Sequence, residues 1–272
     1  MSWITARRRH PAAGYAVVLL MLAVIGVGSA ALTGGGAAAA PVAGPDSASI
    51  SRGQELFTQN CSNCHGLEAQ GTSVAPSLIG VGAAAVDFQV STGRMPAKEN
   101  GAENARKPIA PVFQRDPQGI RDVANYIASL AGGPAIPTPA QVSTSGADVG
   151  VGQQLFIANC AACHNFVGAG GALTYGKFAP ALNQATPTQI YEAMLTGPEA
   201  MPNFNDTTLT PDSKRDIIAY VQEKSAEPNP GGFSLGRIGP VTEGIVAFLG
   251  LLFAMVLAAM WIAAKQHGKT TR

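Results

Sequence analysis

The sequence is poor in charge, in cysteine and in histidine. Asp, Glu, Lys and Arg make up 13% of its 272 residues, about half the usual share of roughly 25%. A formal net charge of +1 leaves no basic stripe to track a phosphate backbone, so no nucleic-acid partner is expected. Four cysteines are too few for a disulfide-dense scaffold. Period-two alternation is scarce, so the expected fold class is all-α. No Ser/His/Asp set, phosphate-binding loop or carboxylate pair stands out, and no bond-making chemistry is expected from the isolated chain.

In excess are 32 Gly and 19 Pro, which point to long loops, and two uncharged apolar runs. Residues 15–32 follow Arg7, Arg8, Arg9 and His10, while residues 244–264 precede Lys265, Lys269 and Arg272. As helices these runs reach about 27 and about 31 Å, close to a hydrocarbon core of about 30 Å. Their basic flanks place both termini in the cytoplasm and the intervening region on the outer side of the cell membrane. The run at 15–32 is expected as an N-terminal transmembrane anchor. Its alternative is a cleavable signal peptide, with the alanines at 37–40 as a cut site. The run at 244–264 is expected as a C-terminal transmembrane helix.

Between the runs the sequence repeats itself. Gly-Gln-Glu-Leu-Phe-Thr-Gln-Asn-Cys at 53–61 returns as Gly-Gln-Gln-Leu-Phe-Ile-Ala-Asn-Cys at 152–160. Ala75-Pro76-Ser77-Leu78 returns as Ala179-Pro180-Ala181-Leu182, Thr92-Gly93 as Thr196-Gly197, Met95-Pro96 as Met201-Pro202, and Asp122 with Tyr126 as Asp216 with Tyr220. The order is kept while loop lengths drift. The first copy gains about a dozen residues between Pro96 and Gly119, and the second gains residues around 167–176. Two domains at 50–131 and 150–226 follow, joined by a Pro/Gly-rich, semi-rigid linker at 132–149. Residues 33–49 read as an extended tether. Helices are expected to start near Gly53 and Gly152, with the longest at 118–130 and 210–224. Each copy is small enough to need something that supplements its apolar core.

All four cysteines lie in Cys61-Ser62-Asn63-Cys64-His65 and Cys160-Ala161-Ala162-Cys163-His164. Cys-X-X-Cys-His is the attachment signature of c-type haem. Thiols one helical turn apart reach two vinyl groups on one porphyrin edge, and the following histidine swings over the ring to bind iron. A zinc site would need four ligands in one tetrahedron, yet the two pairs sit in separate copies. A thioredoxin-like dithiol would need a βαβ setting, and a disulfide explains neither histidine. Two covalently bound haems c are therefore expected.

The sixth iron ligand must come from what remains. His10 and His267 lie beyond the apolar runs, so methionine is the candidate, and the region between the runs holds Met95, Met194 and Met201. Met95 and Met201 match in the repeat and each precedes Pro, while Met194 reads as core packing. The expected cofactor-binding residues are Cys61, Cys64, His65, Met95, Cys160, Cys163, His164 and Met201. Iron is expected to be bound by His65 with Met95 and by His164 with Met201. A haem closed on both faces carries electrons and does not bind oxygen or peroxide. The Pro76 and Pro180 carbonyls are expected to accept the Nδ1 hydrogens of His65 and His164.

These motifs, from Gly-X-X-Leu-Phe through Met-Pro to the C-terminal helix with Tyr126 or Tyr220, resemble class I cytochrome c domains. Two such domains between an N-terminal anchor and a C-terminal helix resemble the dihaem cytochrome c subunit of the actinobacterial cytochrome bcc complex. That complex is a menaquinol:cytochrome c oxidoreductase of bc1 type. The resemblance implies a subunit of quinol–cytochrome-c reductase. It also implies a cytochrome b subunit, a Rieske iron–sulfur subunit and cytochrome aa3 oxidase subunits as partners. In that family the second haem replaces a mobile carrier. Residues 50–131 carry seven basic and seven acidic side chains, and residues 148–227 carry four and eight. The first haem is thus expected to accept from the Rieske centre and the acidic second domain to deliver to the oxidase. Two rivals stand beside this reading. A dihaem subunit of a cbb3-type oxidase or membrane dehydrogenase commonly has one N-terminal anchor, against which the run at 244–264 argues. A dihaem peroxidase needs an open or displaceable ligand, against which the paired methionines argue.

Overall fold

The computed structural model describes residues 15, 18–21, 23, 46–98, 101, 103–227, 235 and 240–270. The first copy opens with α1 (Ser47–Asn60), whose N-cap Asp46 accepts the Ser49 N–H at 2.6 Å. It runs into α2 (Ser62–His65), which carries the first Cys-X-X-Cys-His motif. Then come α3 (Gly82–Ser91), α4 (Pro111–Arg115) and α5 (Gln118–Leu130). After α6 (Pro139–Val142), the second copy follows the same order: α7 (Val149–Asn159), α8 (Ala161–His164), α9 (Pro187–Thr196) and α10 (Pro211–Ala226). Thr186 caps α9 with Gln189 in a reciprocal capping box, and Gly197 ends it in the left-handed region.

In each copy the first and last long helices cross at a glycine. A β-carbon on Gly53 would lie 1.9 Å from the Asp122 carbonyl oxygen of α5, and one on Gly152 equally close to that of Asp216 in α10. Only hydrogen lets the backbones approach this far. The crossing is reinforced by Phe57 against Tyr126 at 5.4 Å between ring centroids, and by Phe156 against Tyr220 at 5.3 Å. It is also tied by polar contacts from the repeated aspartate. Asp122 accepts from Ser49 Oγ at 2.7 Å and pairs with Arg52, while Asp216 accepts the Asp148 N–H at 2.8 Å. Burial pushes the Asp122 carboxyl up, but its bonds to Ser49, Arg52 and Gln118 prevail and hold it below the usual range. Two apolar cores result, one around Phe57, Phe113 and Ile127, the other around Phe156, Tyr191 and Ile218.

Three expectations are corrected. The end of the tether expected at 33–49 is not extended, because the Asp46 side chain caps α1 and the residues from Ser47 onward belong to that helix; residues 33–45 lie outside the described residues. The linker at 132–149 is not a bare spacer. It folds α6 with a Thr138–Gln141 capping box, and packs Ile136 on the first core and Val142 on the second. The all-α reading needs one exception, a two-residue antiparallel pairing of β1 (Gly171–Ala172) with β2 (Phe178–Ala179) in the stretch the second copy gains.

The copies meet through α3 and α9. Here Glu192 is fully buried beside Asp87, and Gln189 Nε2 donates to Ser91 Oγ at 3.1 Å. The chain closes with α11 (Pro240–Thr270), whose stretch Thr242–Ala264 is long and apolar enough to cross a membrane and is not buried against the protein. The anchor expected at 15–32 lies outside the described residues except at 15, 18–21 and 23, which are helical.

Candidate functional site

Both Cys-X-X-Cys-His motifs occupy one short helical turn after the α1 and α7 C-termini, so spacing in sequence becomes a single face in space. Cys61 and Cys160 are half-buried and Cys64 and Cys163 exposed, and all four thiols are free. Burial, and secondarily the neighbouring thiol, pushes Cys61 and Cys160 each up to about 11. A redox or metal-binding thiolate needs the opposite shift.

The histidines are buried and oriented alike. His65 Nδ1 lies 2.8 Å from the Pro76 carbonyl oxygen, and His164 Nδ1 lies 3.0 Å from that of Pro180. Each Nδ1–H thus donates to a carbonyl, which leaves Nε2 as the free ring nitrogen for a metal. Burial pushes His164 down, partly offset by the Pro180 bond, which favours the neutral imidazole that a metal requires. The residue after each histidine takes a positive φ: Gly66 at 82° and Asn165 at 61°, the second holding itself there by a bond from its side chain to the Gly170 carbonyl. In the second copy Tyr220 Oη also donates to the Phe166 carbonyl at 2.7 Å, which fastens this loop to α10.

The second copy forms an apolar crevice that brings Cys160, Cys163 and His164 together with Met201, Met194 and Phe156. Met201 is half-buried at the rim of the second core, and Met194 is 2% exposed within it. In the first copy, His65 is buried, and Cys61 and Met95 pack on the core around Phe57. Free thiols, an imidazole with Nε2 released and a methionine beside an apolar cleft are the donor set a covalently attached haem requires, so the residues fit the group.

The sequence reading missed residues that belong to this crevice. Phe88, Thr92, Arg94, Glu103 and Arg106 of the first copy line it. The length difference between the copies signalled an extra segment after Pro96, but not what it covers.

A Cys-X-X-Cys-His turn with a carbonyl-held histidine in each copy, and an apolar crevice at the second, define a c-type cytochrome. A "Cytochrome c" family model matches residues 50–131, and a "Cytochrome C oxidase, cbb3-type, subunit III" model matches residues 147–221. The "Cytochrome bc1 complex cytochrome c subunit" of Mycobacterium leprae is 44% identical over 256 residues, covering 92% of this chain and 86% of its own length. The Mycobacterium tuberculosis protein of the same name is 42% identical, covering 96% and 94%. That of Corynebacterium efficiens is 43% identical, covering 81% and 78%. The chain belongs to the family of cytochrome bc1 complex cytochrome c subunits, and its role is cytochrome c electron transfer.

Proposed function

We propose that the chain holds two haems c and serves as the dihaem electron-transfer subunit of a respiratory quinol:cytochrome c oxidoreductase of the menaquinol-oxidising bcc type. One haem is attached through Cys61 and Cys64, with His65 and Met95 as axial ligands. The other is attached through Cys160 and Cys163, with His164 and Met201. The observation that carries this reading is the twofold occurrence of the same construction: a Cys-X-X-Cys-His turn whose histidine is fixed by a proline carbonyl at 2.8 and 3.0 Å. Bound haem c supplies a one-electron iron couple. The protein's part is to fix both imidazoles, exclude water with the aromatic and aliphatic walls, and keep both axial positions filled.

In this reading electrons pass from a Rieske iron–sulfur subunit to the first haem, then to the second, and on to an aa3-type oxidase, with a cytochrome b subunit in the same assembly. Leu67, Val74 and Ile79, exposed in the loop after the first motif, offer an apolar rim for a redox partner. The acidic second domain offers a different face. The helix Thr242–Ala264, with the run at 15–32, holds the haem domains at the outer side of the cell membrane with both termini in the cytoplasm. The match of residues 147–221 to a cbb3-type subunit favours an oxidase host as the second reading. Affinity purification from the native membrane in mild detergent separates the two. Recovery of cytochrome b and a Rieske protein is expected, and recovery of a cbb3 oxidase core alone would refute the reading. Rapid mixing of the complex with quinol should leave the second haem oxidised when Met95 is replaced. Normal reduction of the second haem in that variant would contradict the order of transfer.

A further inference from the structure

The second crevice is walled in part by the first copy, through the segment that the first copy alone possesses. The Phe178 N–H donates to Glu103 Oε2 at 2.8 Å, the Asn104 N–H donates to Glu199 Oε1 at 2.6 Å, and an Arg106 guanidinium nitrogen donates to Gln189 Oε1 at 3.2 Å. These bonds lay residues 103–106 across the opening. Arg94 comes from the turn beside Met95, is 6% exposed, and stacks over Phe88 at 5.0 Å.

The charge arrangement is incomplete. Arg94 and Arg106 lie close enough to repel each other, and Glu199 attracts Arg94. Yet neither guanidinium has a carboxylate within 4.0 Å among the described residues, and Arg94 makes no hydrogen bond there. Glu103 and Glu199 are engaged by the two backbone N–H groups. The second copy contributes no Lys or Arg to the lining of its own crevice. A haem c placed there brings two propionate carboxylates into an apolar cleft, where unpaired charge is costly. A guanidinium is the side chain that pairs best with a carboxylate in such a place.

We propose that Arg94 and Arg106 are the cationic partners of the propionates of the haem attached at Cys160 and Cys163, so that the first domain completes the second haem site. This rests on the reading that a haem is attached there. It makes the two domains one redox unit: the same turn that carries Met95 to the first haem presents Arg94 to the second.

The test uses the full-length, detergent-solubilised protein, shown by intact mass to carry both haems. Spectroelectrochemical titration follows two waves, and the second is assigned by Met201→His, which moves it alone. Arg106→Met and Arg94→Met should each shift the second wave to more negative potential and steepen its pH dependence near neutrality. Each should lower the equilibrium constant for moving an electron from the first haem to the second by about tenfold. Arg106→Lys, which keeps the charge without the fork, should shift it less. A double variant with both haems in place and an unmoved second wave would overturn the proposal, as would movement of the first wave alone. Absence of a second haem from the unsubstituted protein would instead overturn the reading beneath it.

Discussion

Each imidazole is held from behind by a proline carbonyl, at 2.8 Å for His65 and 3.0 Å for His164, and His164 shares its crevice with Met201. This part of the site is legible in the sequence because its parts are local. Cys, Cys and His share one turn, and the proline follows within 11 or 16 residues. Arg94 and Arg106 are not legible, because the crevice they line belongs to the other copy and nothing near them in the chain marks a cleft. Met194 and Met201 both reach the second crevice, and only Met201 has a counterpart in the repeat. Met201→Ala should therefore open one ferrous haem to carbon monoxide, seen as a shift of half the reduced Soret absorption. Met194→Leu should leave carbon monoxide without effect and cost less than about 1.5 kcal/mol in unfolding. Carbon monoxide binding in the Met194 variant alone would reverse the assignment.

Helix pairing explains why glycine begins each repeat. The β-carbon of Gly53→Ala would meet the Asp122 carbonyl at 1.9 Å, a backbone atom that cannot swing aside. Chemical denaturation should show a loss of about 3 kcal/mol or more in the first domain, at the upper end for overpacking. A loss below about 0.5 kcal/mol would show that the crossing is looser than described. The helices at 118–130 and 210–224 are readable from apolar periodicity and from Thr210-Pro211-Asp212, and they appear as Gln118–Leu130 and Pro211–Ala226. The short helix Pro139–Val142 is hidden among prolines that read as a spacer.

The α3–α9 contact carries a pH dependence of its own. Glu192 is fully buried and both its oxygens lack a donor, with the Asp87 carboxyl beside it and Arg121 acting on it as an opposing charge. Two ionised carboxylates are both acceptors, so they form a hydrogen bond only when one holds a proton. Burial first, then Asp87, pushes Glu192 up to about 10, and burial also pushes Asp87 up. The folded protein keeps a proton that the unfolded chain releases near the ordinary glutamate value of 4.5. Stability from this pair is thus full below that pH and is lost progressively as the pH rises toward about 10. Thermal unfolding temperature should fall across that window, and Glu192→Gln, which donates without titrating, should flatten the dependence. An unchanged slope in that variant would place the titrating group elsewhere.

Over the full chain, the repeat and the two haem motifs are visible in sequence because duplication leaves matching residues in matching order. The way the copies lock together is not, since it depends on the extra segment of the first copy lying across the crevice of the second. The central proposal is one electron-carrying unit with two tethered haems, and intact-mass spectrometry of the purified chain tests it most directly. The mass should exceed that of the polypeptide by two haem groups, falling to one when Cys160 and Cys163 are both replaced by Ala and to one when Cys61 and Cys64 are. A mass showing fewer than two haems on the unsubstituted chain would contradict the account.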